Sequence, residues 1–319
     1  MSDKCECVNV RKVVIVGCGF VGSASAFALM QSGLFSEMVL IDVDKDRAEG
    51  EAMDISHGAS FAGPMKIYAG GYEDVGDAAI IVITAGANQK PNETRLDLVQ
   101  KNAKIMTDVV TQIKEQEYKG ILLIVSNPVD IMTQVAMEVS GFPEHRVFGS
   151  GTVLDSARLR YHLGQHLGVD SRSVHAFVIG EHGDSEIAAW SSANVSGVPL
   201  NSFCEMRGHF NHEGNTESIE EQVKNSAYEI IAKKDATYYG IAMVVKRICQ
   251  AIVRDEKSIF PISLRMHGEY ALEDVVLSMP AIVGARGIET TIPISLDEKE
   301  VSRLHESAEM LRETRKEIR

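Results

Sequence analysis

Residues 13–22 read Val-Val-Ile-Val-Gly-Cys-Gly-Phe-Val-Gly, an apolar β-branched run that ends in a Gly-x-Gly-x-x-Gly sequence. No other stretch constrains the fold as strongly, because the glycines stand where a buried strand must turn sharply into a helix. Gly17 permits the tight turn, Gly19 lets a pyrophosphate approach the backbone, and Gly22 lets helix and strand pack closely. The helix expected over 22–32, ended by Gly33, would turn its positive N-terminus toward the phosphates. A second apolar run at 38–42 ends at Asp42, 20 residues beyond Gly22. A carboxylate there accepts bonds from the adenosine ribose hydroxyls and repels a 2′-phosphate, so NAD is expected rather than NADP.

Further apolar runs at 80–84, 121–126 and 146–151 alternate with helical stretches, including 95–115. Continuous apolar strands between helices are the pattern of a parallel sheet covered on both faces. The fold class expected is α/β: a doubly wound parallel sheet (Rossmann) in an N-terminal dinucleotide-binding domain, 1–150, then a mixed α+β substrate domain, 151–319. In the second half the expected elements are a helix at 154–167, strands at 174–179 and 188–199, a long amphipathic stretch at 219–254 and a terminal helix at 297–319. Residues 206–217, rich in Gly, His and Asn, read as a loop. A length of 319 residues suits two domains sharing an interface.

Charge narrows the partners. A net charge of −13 disfavours nucleic acid and anionic membranes. No apolar run approaches the roughly 20 residues of a membrane span, and the first dozen residues lack the apolar core of a secretory signal, so a cytoplasmic location is expected. The five cysteines form no CxxC pair and read as free thiols. His162 and His166 stand at i,i+4 spacing, but without a third ligand they read as a plain helix face, and no metal is expected.

Reduction of a 2-keto acid by a nicotinamide requires a proton donor, a cation that polarises the carbonyl and a forked group for the carboxylate. Val-Ile-Gly-Glu-His-Gly-Asp at 178–184 places His182 just past a strand, as a proton-transferring imidazole at the mouth of the fold. Asp155 and Arg158 lie three apart on one helix face after the Gly149-Ser150-Gly151 turn. Asp155 could hold the imidazole and Arg158 could bind a carboxylate bidentately; a surface ion pair is the plainer alternative. Residues 85–95 read as a lid that carries Arg95 at its far end, where closure would bring the cation to the carbonyl as water leaves.

In order along the chain, GCGFVG, TAGANQKPNETRLDLV, VSNPVD, SGTVLDSARLR, IGEHGDSE and KKDATYYGIA resemble the bacterial L-lactate dehydrogenases of the lactate/malate dehydrogenase family across nearly the whole length. The resemblance implies that His182 is the acid/base, Asp155 its partner, Arg158 the carboxylate clamp, Arg95 the lid arginine, and Asn127 an orienter of substrate and nicotinamide. It also implies that Val21, Gly86, Ala87 and Ser150 touch NAD, together with Gly17, Gly19, Gly22 and Asp42, and that Ile241 backs the nicotinamide ring. Gln89 falls where the lid meets the substrate side chain, and Thr237 falls beside it.

Because Gln89 is neutral, a second substrate carboxylate would be left buried and unpaired there, which argues for pyruvate and L-lactate over malate. A 2-hydroxyisocaproate-type activity would need a roomier pocket, and a catalytically silent NAD-binding protein would have lost some of its four reacting residues. Cys18 and Asn92 depart from the common pattern, which implies altered lid mobility and intact chemistry. Arg160 and His175 match the pair through which allosteric members bind fructose 1,6-bisphosphate between subunits, which implies an activated homotetramer in fermentative glycolysis.

Overall fold

A computed structural model describes residues 8–87 and 95–318, with Arg95 described in its backbone only. The first half alternates β1 (Asn9–Val16), α1 (Phe20–Ser32), β2 (Glu37–Ile41), α2 (Lys45–Gly58), β3 (Lys66–Ala69), β4 (Ala78–Ile83), α3 (Arg95–Glu115), β5 (Ile121–Ile124), α4 (Val129–Ser140) and β6 (Val147–Gly149). The strands pair in the order β3-β2-β1-β4-β5-β6, all parallel. Strand β1 sits at the centre, and the connections leave it in opposite directions. The crevice at the carboxyl ends of β1 and β4 is therefore the topological switch point, where a doubly wound sheet binds its ligand. The expected α/β doubly wound fold is present.

The second half contains α5 (Val153–Leu167), the short strands β7 (Val174–His175), β8 (Val178–Ile179), β9 (Ile187–Ala188), β10 (Asn194–Val195) and β11 (Val198–Pro199), then α6 (Leu200–Met206), α7 (His212–Lys234) and α8 (Tyr239–Val253). Strands β12 (Ser258–His267), β13 (Glu273–Gly284) and β14 (Gly287–Thr291) follow, and α9 (Glu298–Glu317) ends the described chain. Strand β12 pairs antiparallel with β6 at Ser263 and Gly149, so β12, β13 and β14 extend the parallel sheet to nine strands among the described residues. The sheet thus runs on past residue 150, and residues of both halves pack into the larger apolar core, while a second cluster lies wholly in the second half.

Four expectations about local structure change: the strand expected at 174–179 is two short strands, β7 and β8, in different sheets. Residues 212–217 are the start of α7 rather than loop, because Asn211 acts as an N-cap, its side chain accepting from the Gly214 N–H at 3.4 Å. The stretch at 219–254 is two helices, because Asp235 takes a left-handed conformation with φ of 67° and ends α7 after Lys233 and Lys234. The expected strand at 188–199 is broken into β9, a 3-10 turn, β10 and β11. Among the described residues no helix is long and apolar enough to cross a membrane, and Cys18, Cys204 and Cys249 are free and buried.

Candidate active site

The crevice is shaped by close approach. Gly17 has φ of 101°, and a Cβ there would lie 2.5 Å from the Ala85 amide nitrogen at the end of β4. A Cβ on Gly22 would lie 1.9 Å from the Gly17 carbonyl oxygen, which also accepts from the Thr84 hydroxyl at 2.7 Å. Gly19, in contrast, faces open space within 4 Å. Helix α1 starts behind it with no side-chain cap, so its first N–H groups are left for a ligand. This combination fits a dinucleotide pyrophosphate: two glycines demanded by packing, one by access.

Asp42, half-buried after β2, accepts from the Cys18 N–H at 2.6 Å and from the Asp44 N–H at 2.9 Å. It ties the glycine turn to the second strand as well as carrying a carboxylate to the crevice. The Cys18 thiol turns into the core toward the Ile41 carbonyl, and burial, with Asp42 adding to it, pushes the thiol up to about 12. Val21 is half-buried on α1, Ser150 is buried where its N–H meets the Ile124 carbonyl at 2.8 Å, and Asn127 is exposed after β5. Asn102 of α3 holds the edges of the crevice together: its carbonyl accepts from the Ala87 N–H at 2.8 Å and its amide donates to the Asn127 carbonyl at 2.9 Å. Gly86 is exposed beside it.

Across the crevice, β8 and β9 form a hairpin whose tip carries His182. Gly180, with φ of 85°, exchanges two backbone hydrogen bonds with Ser278 of β13, at 2.9 and 2.8 Å, and so hooks the hairpin to the main sheet. The His182 N–H donates to the Asp130 carboxylate at 2.7 Å, and that buried carboxylate also accepts from Ser263 at 2.6 Å. Asp130 thereby joins α4, β12 and the hairpin at one point. Burial pushes its carboxyl up to about 6, with Ser263 and the His182 N–H opposing the rise.

Asp155, Arg158 and His182 meet. Asp155 Oδ2 lies 2.6 Å from His182 Nδ1, and Arg158 Nη1 donates to Asp155 Oδ1 at 2.8 Å. Burial alone would favour neutral forms of both partners. The Asp155 charge and hydrogen bond outweigh it and raise His182 to about 9, while His182 and Arg158 hold Asp155 below the ordinary carboxylate range. With Nδ1 held, Nε2 is the ring nitrogen left to exchange a proton. The Glu181 N–H donates to the Ser307 hydroxyl of α9 at 2.8 Å, which fixes the turn from behind.

The other expected residues lie on α5, β7 and α8 and in the turn that precedes α8. Thr237 and Ile241 are half-buried at the α7–α8 junction, where a Cβ on Gly240 would lie 2.9 Å from Leu154 of α5. Arg160 is half-buried and donates back to the Ser156 carbonyl at 3.0 Å, and His175 is exposed on β7. Gln89 and the Arg95 side chain lie outside the described residues. Asp130, Asn102 and Glu186 were absent from the expected site. Glu186 is buried, and its carboxylate, the Asp155 carboxylate and a His182 ring nitrogen offer ligand atoms within 4.8 Å of one another.

Both halves of the chain match domains of a single known family. Residues 11–149 match the lactate/malate dehydrogenase NAD binding domain, and residues 152–319 match the lactate/malate dehydrogenase alpha/beta C-terminal domain. The chain is 49% identical over 304 residues to an L-lactate dehydrogenase of Acetivibrio thermocellus, covering 95% of this chain and 96% of that one. It is also 49% identical over 307 residues to an L-lactate dehydrogenase of Priestia megaterium, covering 96% of each. A crystal structure of the minor L-lactate dehydrogenase from Enterococcus mundtii, in its ligands-bound form, superposes with a TM-score of 0.94 at 43% identity, covering 97% of this chain and 98% of that one. The chain therefore belongs to the lactate/malate dehydrogenase family.

Proposed function

We propose that this protein is an L-lactate dehydrogenase, catalysing reversible NAD-dependent hydride transfer between L-lactate and pyruvate. The observation that carries the reading is the linked trio His182, Asp155 and Arg158, joined at 2.6 and 2.8 Å beside a dinucleotide crevice. NADH, when bound, supplies the hydride. Gly17, Gly19, Val21, Gly22, Gly86, Ala87, Asn127 and Ser150 line its site, Asp42 meets the adenosine ribose, and Ile241 backs the nicotinamide.

Arg158 binds the substrate carboxylate with its free guanidinium edge, which a point-charged lysine would not match. His182, held as an imidazolium at neutral pH, presents a proton at Nε2 to the carbonyl oxygen and takes it back in the reverse direction. Asp155 fixes the ring and stabilises its charge. Arg95, carried inward by the lid, polarises the carbonyl, while Asn127 and Thr237 orient the substrate and neutral Gln89 faces its methyl group. The proposed division of labour sets residues 1–150 to the cofactor and 151–319 to the substrate. A cytoplasmic homotetramer activated by fructose 1,6-bisphosphate through Arg160 and His175 completes the reading.

Following NADH absorbance with pyruvate or oxaloacetate, each with and without fructose 1,6-bisphosphate, tests it. A strong preference for pyruvate is expected, with a bisphosphate-dependent fall in the pyruvate KM. A preference for oxaloacetate would overturn the substrate, and curves unmoved by the bisphosphate would overturn the effector.

A further inference from the structure

The β8–β9 hairpin puts a second carboxyl group beside the reacting trio. Ile179 pairs with Ile187, so Glu186 lies opposite Gly180, and its N–H closes the turn under His182 by donating to the Gly183 carbonyl at 3.1 Å. Glu186 is only 4% exposed. Its carboxylate reaches the same 4.8 Å neighbourhood as a His182 ring nitrogen and the Asp155 carboxylate.

The charges around Glu186 come from four elements, and the cations among them are engaged elsewhere. On α5, Arg158 is committed to Asp155. On α7, Lys224 pairs with Glu220 at 3.4 Å. On α9, Arg303 pairs with the same Glu220 and reaches only the main-chain carbonyl of Glu186, at 3.4 Å. The hairpin itself contributes His182, already bound to Asp155, and the acidic Glu181. Among the described residues no cation lies within 4.0 Å of the Glu186 carboxylate, the nearby ones being paired with Asp155 and Glu220, so ionisation would place a buried negative charge without its own counter-ion beside Asp155 and the incoming substrate carboxylate, and such a charge neutralises instead.

We propose that Glu186 is a positioning residue of the reacting site, a neutral carboxylic acid when the substrate anion binds, whose ionisation opposes that binding. The inference rests on the reading of His182 and Arg158 as the reacting groups. Burial, with the nearby Asp155 charge adding to it, pushes Glu186 up to about 8, below the value of about 9 for His182. Between these values the proton leaves Glu186 for solvent, and binding of the substrate carboxylate must draw it back.

The test measures the pyruvate KM at saturating NADH across neutral to alkaline pH, in the wild type and in Glu186→Gln. If only the neutral form binds, the wild-type KM rises about tenfold or more between pH 7 and pH 9, whereas loss of the His182 proton alone raises that of E186Q by about twofold. Calorimetry on the intact wild type gives a second readout: oxamate, a non-reducible pyruvate analogue, is titrated into the NADH complex at pH 8.5 in buffers of different ionisation enthalpy. Uptake of about one proton per site is expected, against about a quarter of a proton if His182 alone titrates. A wild type that reduces pyruvate, with a KM profile that the substitution leaves unchanged or an uptake near a quarter of a proton, overturns the role of Glu186 alone. A wild type that reduces no pyruvate at any pH overturns the reacting-site reading and this inference together.

Discussion

Replacing Asp155 by asparagine preserves the shape beside His182 and removes the charge. His182 stands at about 9 instead of its ordinary 6.5, with the Asp155 charge and hydrogen bond overcoming a burial effect of opposite sign. A difference of that size is worth about 3 kcal/mol between the two protonation states. Without the carboxylate, burial is opposed chiefly by the more modest field of Asp130, so D155N should return the imidazole to its ordinary value or below. At pH 7.5 the imidazolium fraction then falls from nearly complete to about a tenth. In the pH profile of kcat/KM for pyruvate, the part of the alkaline limb that belongs to His182 should move about 2.5 units toward acid, with a loss of turnover of about 10²- to 10⁴-fold. The sign extends to stability. A histidine raised in the folded state stabilises fully below 6.5, and this contribution is lost as pH rises through about 9. Thermal unfolding of the wild type should weaken across that window, and D155N should lack the trend. An unchanged alkaline limb in D155N would refute the argument that this hydrogen bond sets the proton affinity of His182.

Three further outcomes follow from the same geometry. Arg158→Lys keeps the charge but loses the forked contact, and should lower kcat/KM for pyruvate by about 10²-fold or more, mainly through KM, in steady-state assays. Gly22→Ala places a methyl group 1.9 Å from the Gly17 carbonyl, so NADH binding followed by fluorescence should collapse and the melting temperature should fall. Asp42→Ser removes the carboxylate that disfavours a 2′-phosphate, and the ratio of NADH to NADPH efficiency should fall; an unchanged ratio would mean the ribose is read elsewhere.

The parts of the site visible in the sequence are those whose partners are close along the chain or whose backbone demands are unusual. The glycine turn is legible because Gly17 and Gly22 have no room for a side chain. Asp155 and Arg158 are legible because a spacing of three along one helix puts both on the same face. Asp130 was not, because the backbone it supports lies 52 residues away at His182 and its hydroxyl partner 133 residues away at Ser263. Glu186 stands four residues after His182, yet only the hairpin register turns it inward. The same distance hides the sheet extension. Nothing local in 258–291 says that β12 will take the open edge of β6, although β13 reads as a nearly continuous buried run once it is covered by α4, α8 and α9.

The central claim is that His182 carries the proton of the reaction while the cofactor site stands apart from it. Single-turnover NADH oxidation with excess pyruvate, comparing the wild type with His182→Gln under conditions where both are shown to bind NADH, tests this directly. The account predicts rapid oxidation in the wild type and a rate lower by about 10²-fold or more in the variant. A variant that binds NADH and oxidises it at the wild-type rate would contradict it.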